Sequence, residues 1–233
     1  MTVATRAEAL PWVMAHSPEI MGIALPGEGP LGKGDLEALK GALEGKDALV
    51  MGPGIPRGPE TGALIGDLLA AVDVPAVLDA DALNAIAEDL TVLRRAKGPV
   101  LLTPHPGEMA RLWGRTTKDV QQHRVGVALN MATSLNVTVV LKGSRTLIAE
   151  PGGRVFINPT GNAGMATGGT GDVLSGVCGA LLAQGIKLPK AAWAAVYAHG
   201  LAGDLAAKRR GMMGLIATDL LEDLGSVWLR WGR

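Results

Sequence analysis

Short, wholly apolar runs alternate along this chain with longer stretches of helical period. The apolar runs are Ala48–Met51, Ala76–Leu78, Val100–Leu102 and Val137–Leu141. A run with no polar alternation fits a strand buried on both faces of a parallel sheet. Between these runs, Thr61–Val72, Ala82–Glu88 and Lys118–Leu135 predict helices. Nearer the start, residues 1–5 predict the end of a strand and Glu8–His16 a short helix. The Gly- and Pro-rich Leu25–Gly34 predicts loop, and Asp35 is the natural N-cap of a helix over Leu36–Leu43. Beyond the fourth run, Thr146–Ala149 and Arg154–Ile157 flank Pro151-Gly152-Gly153, which predicts a β-hairpin. The last third predicts helices over 173–184, 190–209 and 218–230.

Strands alternating with helices predict an α/β fold, a doubly wound and mostly parallel sheet with helices on both faces. No internal repeat, low-complexity tract or linker divides the sequence, so a single domain over 1–233 is expected. Ligands of such sheets bind beyond the carboxyl ends of the strands. Four polar clusters stand at those ends: Gly52–Gly54, Asp79–Asn84, Thr103–Glu108 and Lys142–Thr146.

A fifth polar stretch, Asn158–Gly176, opens the helix expected from Val173. Five glycines precede Asp172 in it. Backbone N–H groups of a loop entering a helix cradle phosphate, and the positive helix end favours an ionised carboxylate. Asp172 is therefore a candidate base beside an anion hole, or else a plain helix cap. Gly52-Pro53-Gly54 is a rigid turn against which a planar ligand can lie. Asp79, Asp81 and Asn84 can hydrogen-bond ribose hydroxyls or hold a hydrated Mg²⁺; helix capping by Asp81 competes. His105, between two prolines, can bond a phosphate or an amide, or be structural. In Lys142-Gly143-Ser144-Arg145-Thr146, two cations and two hydroxyls suit phosphate, although a solvated tight turn has the same composition.

Composition narrows the classes. Lys plus Arg and Asp plus Glu are equal at 22 each, so no basic surface argues for nucleic acid. Aromatics are only 3%, so the core must be aliphatic. The one cysteine, Cys178, lies in an apolar helical stretch and reads as core packing in a reducing compartment. No zinc site is expected, because the four histidines lack zinc-ligand spacing and Cys178 lacks a partner. No basic region followed by an apolar run opens the chain. No apolar segment approaches the ~20 residues that span a bilayer, so a soluble, cytoplasmic protein is expected. Neither a Walker A pattern nor a Gly-x-Ser-x-Gly elbow is present.

Gly169-Thr170-Gly171-Asp172 resembles the Gly-x-Gly-Asp motif of ribokinase-like enzymes, in which the amides form the anion hole and the Asp deprotonates the acceptor hydroxyl. The longer Asn158–Gly176 string looks more specific. With Leu102–Glu108, Gly52–Gly54, Leu78–Asn84 and Leu141–Gly143 in this order, essentially the whole chain resembles the ADP-dependent NAD(P)H-hydrate dehydratases, a ribokinase-like repair family. The resemblance implies that Gly54, His105 and Asp172 contact the hydrated nicotinamide nucleotide, with Asn84 taken alongside them. It implies that Lys142, Gly143, Ser144, Arg145 and Thr146 hold the adenine nucleotide, with Gly169, Thr170 and Gly171 at its phosphate end and Asp172 as catalytic base. It further implies ADP or ATP as co-substrate with Mg²⁺, NADH hydrate and NADPH hydrate as substrates, and a homo-oligomer, a tetramer in the family.

Domains of that family begin with a further strand, a glycine-containing loop and a helix before the strand that Thr2–Thr5 ends, so the domain is expected to be N-terminally incomplete. A ribokinase-like kinase of a small alcohol or vitamin precursor is the competing expectation, and a nucleotide-binding or assembly role without turnover is a third. The His-Pro-Gly-Glu loop combined with Asn-Pro-Thr-Gly-Asn favours the dehydratase.

Overall fold

The computed structural model describes residues 1–55, 58 and 60–232. Strand β1 (Thr2–Arg6), helix α1 (Leu10–His16) and strand β2 (Met21–Leu25) form the first unit. β1 and β2 pair in parallel, Thr2 opposite Met21 and Arg6 opposite Leu25, as a separate two-stranded sheet. β2 went unforeseen because Gly22 weakens its pattern, and the run is mostly exposed. Helix α2 (Leu36–Leu43) follows. The Arg6 guanidinium grips Asp35 with both nitrogens, at 2.6 and 2.9 Å, and donates to the carbonyls of Gly29 and Pro30. That buried pair ties β1 to the Gly- and Pro-rich loop before α2. It also holds the Asp35 carboxyl below its usual pKa, chiefly through the Arg6 hydrogen bond.

The main sheet is built from β3 (Leu49–Met51), β4 (Ala76–Leu78), β5 (Val100–Leu102), β6 (Thr138–Leu141), β7 (Leu147–Ala149) and β8 (Val155–Ile157), in that order across the sheet. β3 to β6 run parallel, and β7 and β8 add an antiparallel hairpin at one edge. Helices α3 (Thr61–Ala71), α4 (Ala80–Ile86), α5 (Pro106–Trp113), α6 (Thr117–Gln122) and α7 (Arg124–Leu135) connect the parallel strands. Helices α8 (Thr170–Ala183), α9 (Lys190–Arg210) and α10 (Ala217–Arg230) complete the chain.

Side chains alternate across a strand with period two, and both faces here are covered. Ala76 and Leu78, Val100 and Leu102, and Val139 and Leu141 face the core made with α3, α4, α5 and α7. Val77, Leu101, Val140 and Ile148 face the opposite core made with α8 and α9. This is why the strands carry no polar alternation. Each fully buried Leu contributes roughly 1.5–3 kcal/mol, so the aliphatic core suffices without aromatics. Cys178 lies wholly inside the α8 layer, where burial pushes its thiol pKa up to about 12.

Two helices differ from expectation. α5 begins at Pro106, inside a Pro- and Gly-rich segment that reads as loop, because Pro is well suited to a first helical position. The helix expected over Lys118–Leu135 is two helices, broken at His123 (φ −128°, ψ 33°). The break puts Arg124 at the start of α7, where its guanidinium reaches the loop after β6. Among the described residues no helix is long and apolar enough to cross a membrane.

Candidate active site

The carboxyl ends of β4, β5 and β6 open onto a cavity of about 820 Å³, closed on the other side by the Asn158–Asp172 segment and α9. β4 delivers Asp79, which is fully buried. Its Oδ1 lies 2.7 Å from the Lys142 ammonium, and its Oδ2 accepts a hydrogen bond from the Ser175 hydroxyl at 2.5 Å. Ala80, next in sequence, has a positive φ of 46° and also lines the cavity. A left-handed non-glycine residue is strained and tends to sit at functional sites.

β5 leads into His105, which caps α5. Its Nδ1 accepts from the N–H groups of Gly107 (2.9 Å) and Glu108 (3.2 Å), while the Glu108 carboxylate accepts the His105 N–H at 2.7 Å. This reciprocal cap satisfies orphan donors at both ends. It leaves the ring proton on Nε2, and the half-exposed ring stands in the cavity wall.

β6 leads into Lys142, whose N–H donates to the Pro104 carbonyl at 2.9 Å. The Arg124 guanidinium donates to the carbonyls of Ser144 (2.6 Å), Leu141 and Lys142 (3.3 Å each), stitching the loop in place. Arg145 has φ 55°, and its guanidinium donates to the Pro159 carbonyl at 3.2 Å.

The glycine turn caps α8. Gly169 has φ 85°, the left-handed region that glycine enters without a Cβ penalty. Thr170 anchors the turn through its hydroxyl, 3.0 Å from the carbonyls of Met165 and Thr167. The buried His199 of α9 donates from Nε2 to the Thr170 carbonyl at 2.8 Å. Burial depresses its pKa to about 4, so it is a neutral donor at pH 7. α9 also receives the loop before the turn. Asp204 accepts from Gly161 N and Asn162 Nδ2, each at 3.0 Å, and a Cβ on Gly200 would collide with Thr160.

Asp172 stands in the first turn of α8, exposed to the cavity. Its carboxyl pKa is raised, first by desolvation, then by the charge of Asp79; Lys142 opposes this and Asp81 adds to it. A carboxylate with a raised pKa in the first turn of a helix is a candidate general base.

His105, Lys142, Gly143, Ser144, Arg145, Thr146, Gly169, Thr170, Gly171 and Asp172 all line this one cavity. Gly54 and Asn84 do not. Gly54 lies in the turn after β3, and the Asn84 side chain accepts a hydrogen bond from Arg111. Asp79, weighed from sequence as a ribose or Mg²⁺ ligand, is instead engaged with Lys142 and Ser175. Sequence reasoning missed Ser175, His199, Asp204 and Arg124. Only the one-turn spacing of His199, Gly200, Gly203 and Asp204 on a helix could have pointed to α9. Among the described residues, no group of three His, Cys, Asp or Glu could hold a metal ion.

A glycine turn capping a helix, with an acid in its first turn and a mostly parallel sheet beneath, defines a ribokinase-like α/β protein. Residues 1–225 match the family described as NAD(P)H-hydrate dehydratase, and the chain belongs to that family. It is 50% identical over 208 residues to the bifunctional NAD(P)H-hydrate repair enzyme Nnr of Moorella thermoacetica, covering 88% of this chain and 39% of that one. It is 42% identical over 188 residues to the ADP-dependent (S)-NAD(P)H-hydrate dehydratase of Neisseria meningitidis serogroup B, covering 79% and 63%. The crystal structure of the ADP/ATP-dependent NAD(P)H-hydrate dehydratase from Bacillus subtilis, co-crystallised with ATP/Mg²⁺, superposes with TM-score 0.80 at 32% identity, covering 99% of this chain and 78% of that one. The chain thus spans about two fifths of the bifunctional relative and under two thirds of the shorter one.

Proposed function

We propose that this chain dehydrates the S-epimer of NADH or NADPH hydrate back to NAD(P)H at the expense of ADP or ATP. One observation carries the proposal: the base candidate Asp172, the glycine turn, the Lys142–Thr146 loop and His105 converge on one cavity of about 820 Å³. That volume lies in the upper range for small-molecule sites.

Hydroxide is a poor leaving group from C6 of the hydrated ring, and phosphorylation corrects that. Asp172 takes the proton of the C6 hydroxyl as its oxygen attacks the β-phosphorus of ADP. The new O–P bond forms, the bond from phosphorus to the bridging oxygen breaks, and AMP leaves with that electron pair. The amides of the glycine turn stabilise the charge on the moving phosphoryl group. The ring-nitrogen lone pair then expels phosphate from C6, and loss of a C5 proton restores the C5–C6 double bond. Hydrate and ADP become NAD(P)H, AMP and inorganic phosphate. With ATP the same step releases ADP.

His105 and Asp172 are assigned to the hydrate, with Gly54 and Asn84 as outlying contacts on it. Lys142–Thr146 and Gly169–Gly171 are assigned to the nucleotide. Two acids of the cavity wall are occupied, Asp79 by Lys142 and Glu108 by the His105 N–H, and among the described residues no group of three His, Cys, Asp or Glu could hold a metal ion. A Mg²⁺ would therefore be held chiefly by the nucleotide phosphates and water, where it would offset phosphate charge. A homo-oligomeric state belongs to the same proposal and is read by light scattering.

The test is recovery of reduced-nicotinamide absorbance when purified protein meets NADH hydrate and ADP. Recovery with stoichiometric AMP and phosphate is expected. A lasting phosphorylated alcohol with no recovery of absorbance would favour the kinase alternative.

A further inference from the structure

We propose that Asp79 is a positioning residue that pins the Lys142 ammonium against the glycine turn, so that Lys142 meets the phosphoryl group being transferred and not the adenosine of the donor. This rests on the nucleotide reading of the site given above.

The geometry separates Lys142 from its loop neighbours. Arg145 is directed to the Pro159 carbonyl, and the Thr146 hydroxyl turns back to Gly143. The Lys142 side chain runs inward to Asp79 at 2.7 Å. Its Nζ lies only 3.1 Å from the place a Cβ on Gly171 would occupy. Glycine at 171 is thus the room in which the ammonium stands. The Ser175 hydroxyl donates to the second Asp79 oxygen and lies 3.0 Å from the Gly171 carbonyl, so the same carboxylate is locked to the turn itself.

An ammonium at the N-terminal end of α8 faces the positive pole of the helix, which is unfavourable by itself. A fully buried carboxylate without a partner is also unfavourable. Each holds the other in place until an anion arrives. A cation and backbone amides fixed in advance at one point are what the charge on a phosphoryl in flight requires, since little reorganisation is then left for the reaction.

Removing one member of a buried ion pair leaves the other uncompensated, so the deciding variant removes both charges: Asp79→Asn with Lys142→Met. Calorimetry on the full chain would compare ADP with AMP, which lacks the transferred phosphate. The double variant is expected to bind ADP at least about tenfold more weakly, the worth of one charge-assisted hydrogen bond, with AMP affinity kept within about twofold. Asp79→Asn alone should move ADP affinity in the same direction and lower kcat with the KM for the hydrate unchanged. Equal weakening of ADP and AMP, or no change in either, would overturn the proposal; a merely structural Asp79 would lower both affinities together with the melting temperature. A wild-type chain that binds neither nucleotide would overturn the nucleotide reading and this inference with it. Binding of both nucleotides without hydrate turnover would fault only the choice of acceptor, and the ADP-to-AMP ratio would still decide the role of Lys142.

Discussion

As the proposed base, Asp172 carries two opposed demands. Its carboxylate must be ionised to accept a proton, yet desolvation and the Asp79 charge both favour the protonated form. Activity is therefore expected to fall on acidification through a pKa above the usual carboxylate value of about 3.9, read as the acid limb of a kcat/KM–pH profile. Asp172→Asn removes the proposed proton acceptor and should lower kcat by about 10²–10⁴-fold, while calorimetry finds ADP affinity largely kept. A folded-state pKa raised in an acid is a stability cost that appears as pH rises through it. The same variant should consequently melt higher than wild type at pH 7; an unchanged or lower melting point would mean that Asp172 also stabilises the fold. The setting of Asp172 was legible in the sequence because it is local: the glycines, the turn and the helix all lie within a few residues. Asp79 was visible as a polar residue at a strand end, but its pairing was not. Lys142 and Ser175 lie 63 and 96 residues further along the chain.

At the level of elements, α9 bears on the site more than its sequence indicates. It was legible as a helix, but not as the platform on which both site loops rest. The contacts of Gly200, Asp204 and His199 are all to residues some 30 or more positions away, and glycines in a helix read only as weak helix formers. Gly200→Val would drive the Asn158–Asn162 loop off α9, since even a Cβ would meet Thr160. Overpacking of this kind costs typically 1–3 kcal/mol, to be read as a lower urea midpoint. Because that loop walls the cavity, the KM values for hydrate and nucleotide should rise as well. Wild-type KM values in a destabilised variant would show that the loop is a scaffold only. α5 was missed for the opposite reason: Pro106 and Gly107 resemble loop residues, and only the reciprocal cap between His105 and Glu108 makes them a helix start.

For the molecule as a whole, the convergence of polar clusters at the carboxyl ends was the most legible feature, since the parallel topology alone places four of them on one side. Less legible is that the closure of the cavity is tied to acid stability. His199 bridges α9 to the glycine turn as a neutral imidazole, its pKa pushed from 6.5 to about 4 by burial. The unfolded chain takes up this proton as pH falls through 6.5, while the folded chain refuses it until about 4. A depressed folded pKa contributes stability that is present in full above the unfolded value and lost as pH falls toward the folded one. The loss should reach about 2 kcal/mol by pH 5. Asp35 acts in a separate window: its folded pKa lies below 3.8, so its contribution fades only at more acid pH. Urea midpoints at pH 7 and pH 5 distinguish the two. The wild-type chain is expected to lose stability between those values, and His199→Gln, which keeps a donor for the Thr170 carbonyl but cannot titrate, to lose much less. An equal loss in both proteins would place the acid sensitivity elsewhere and leave His199 as a packing residue of the turn.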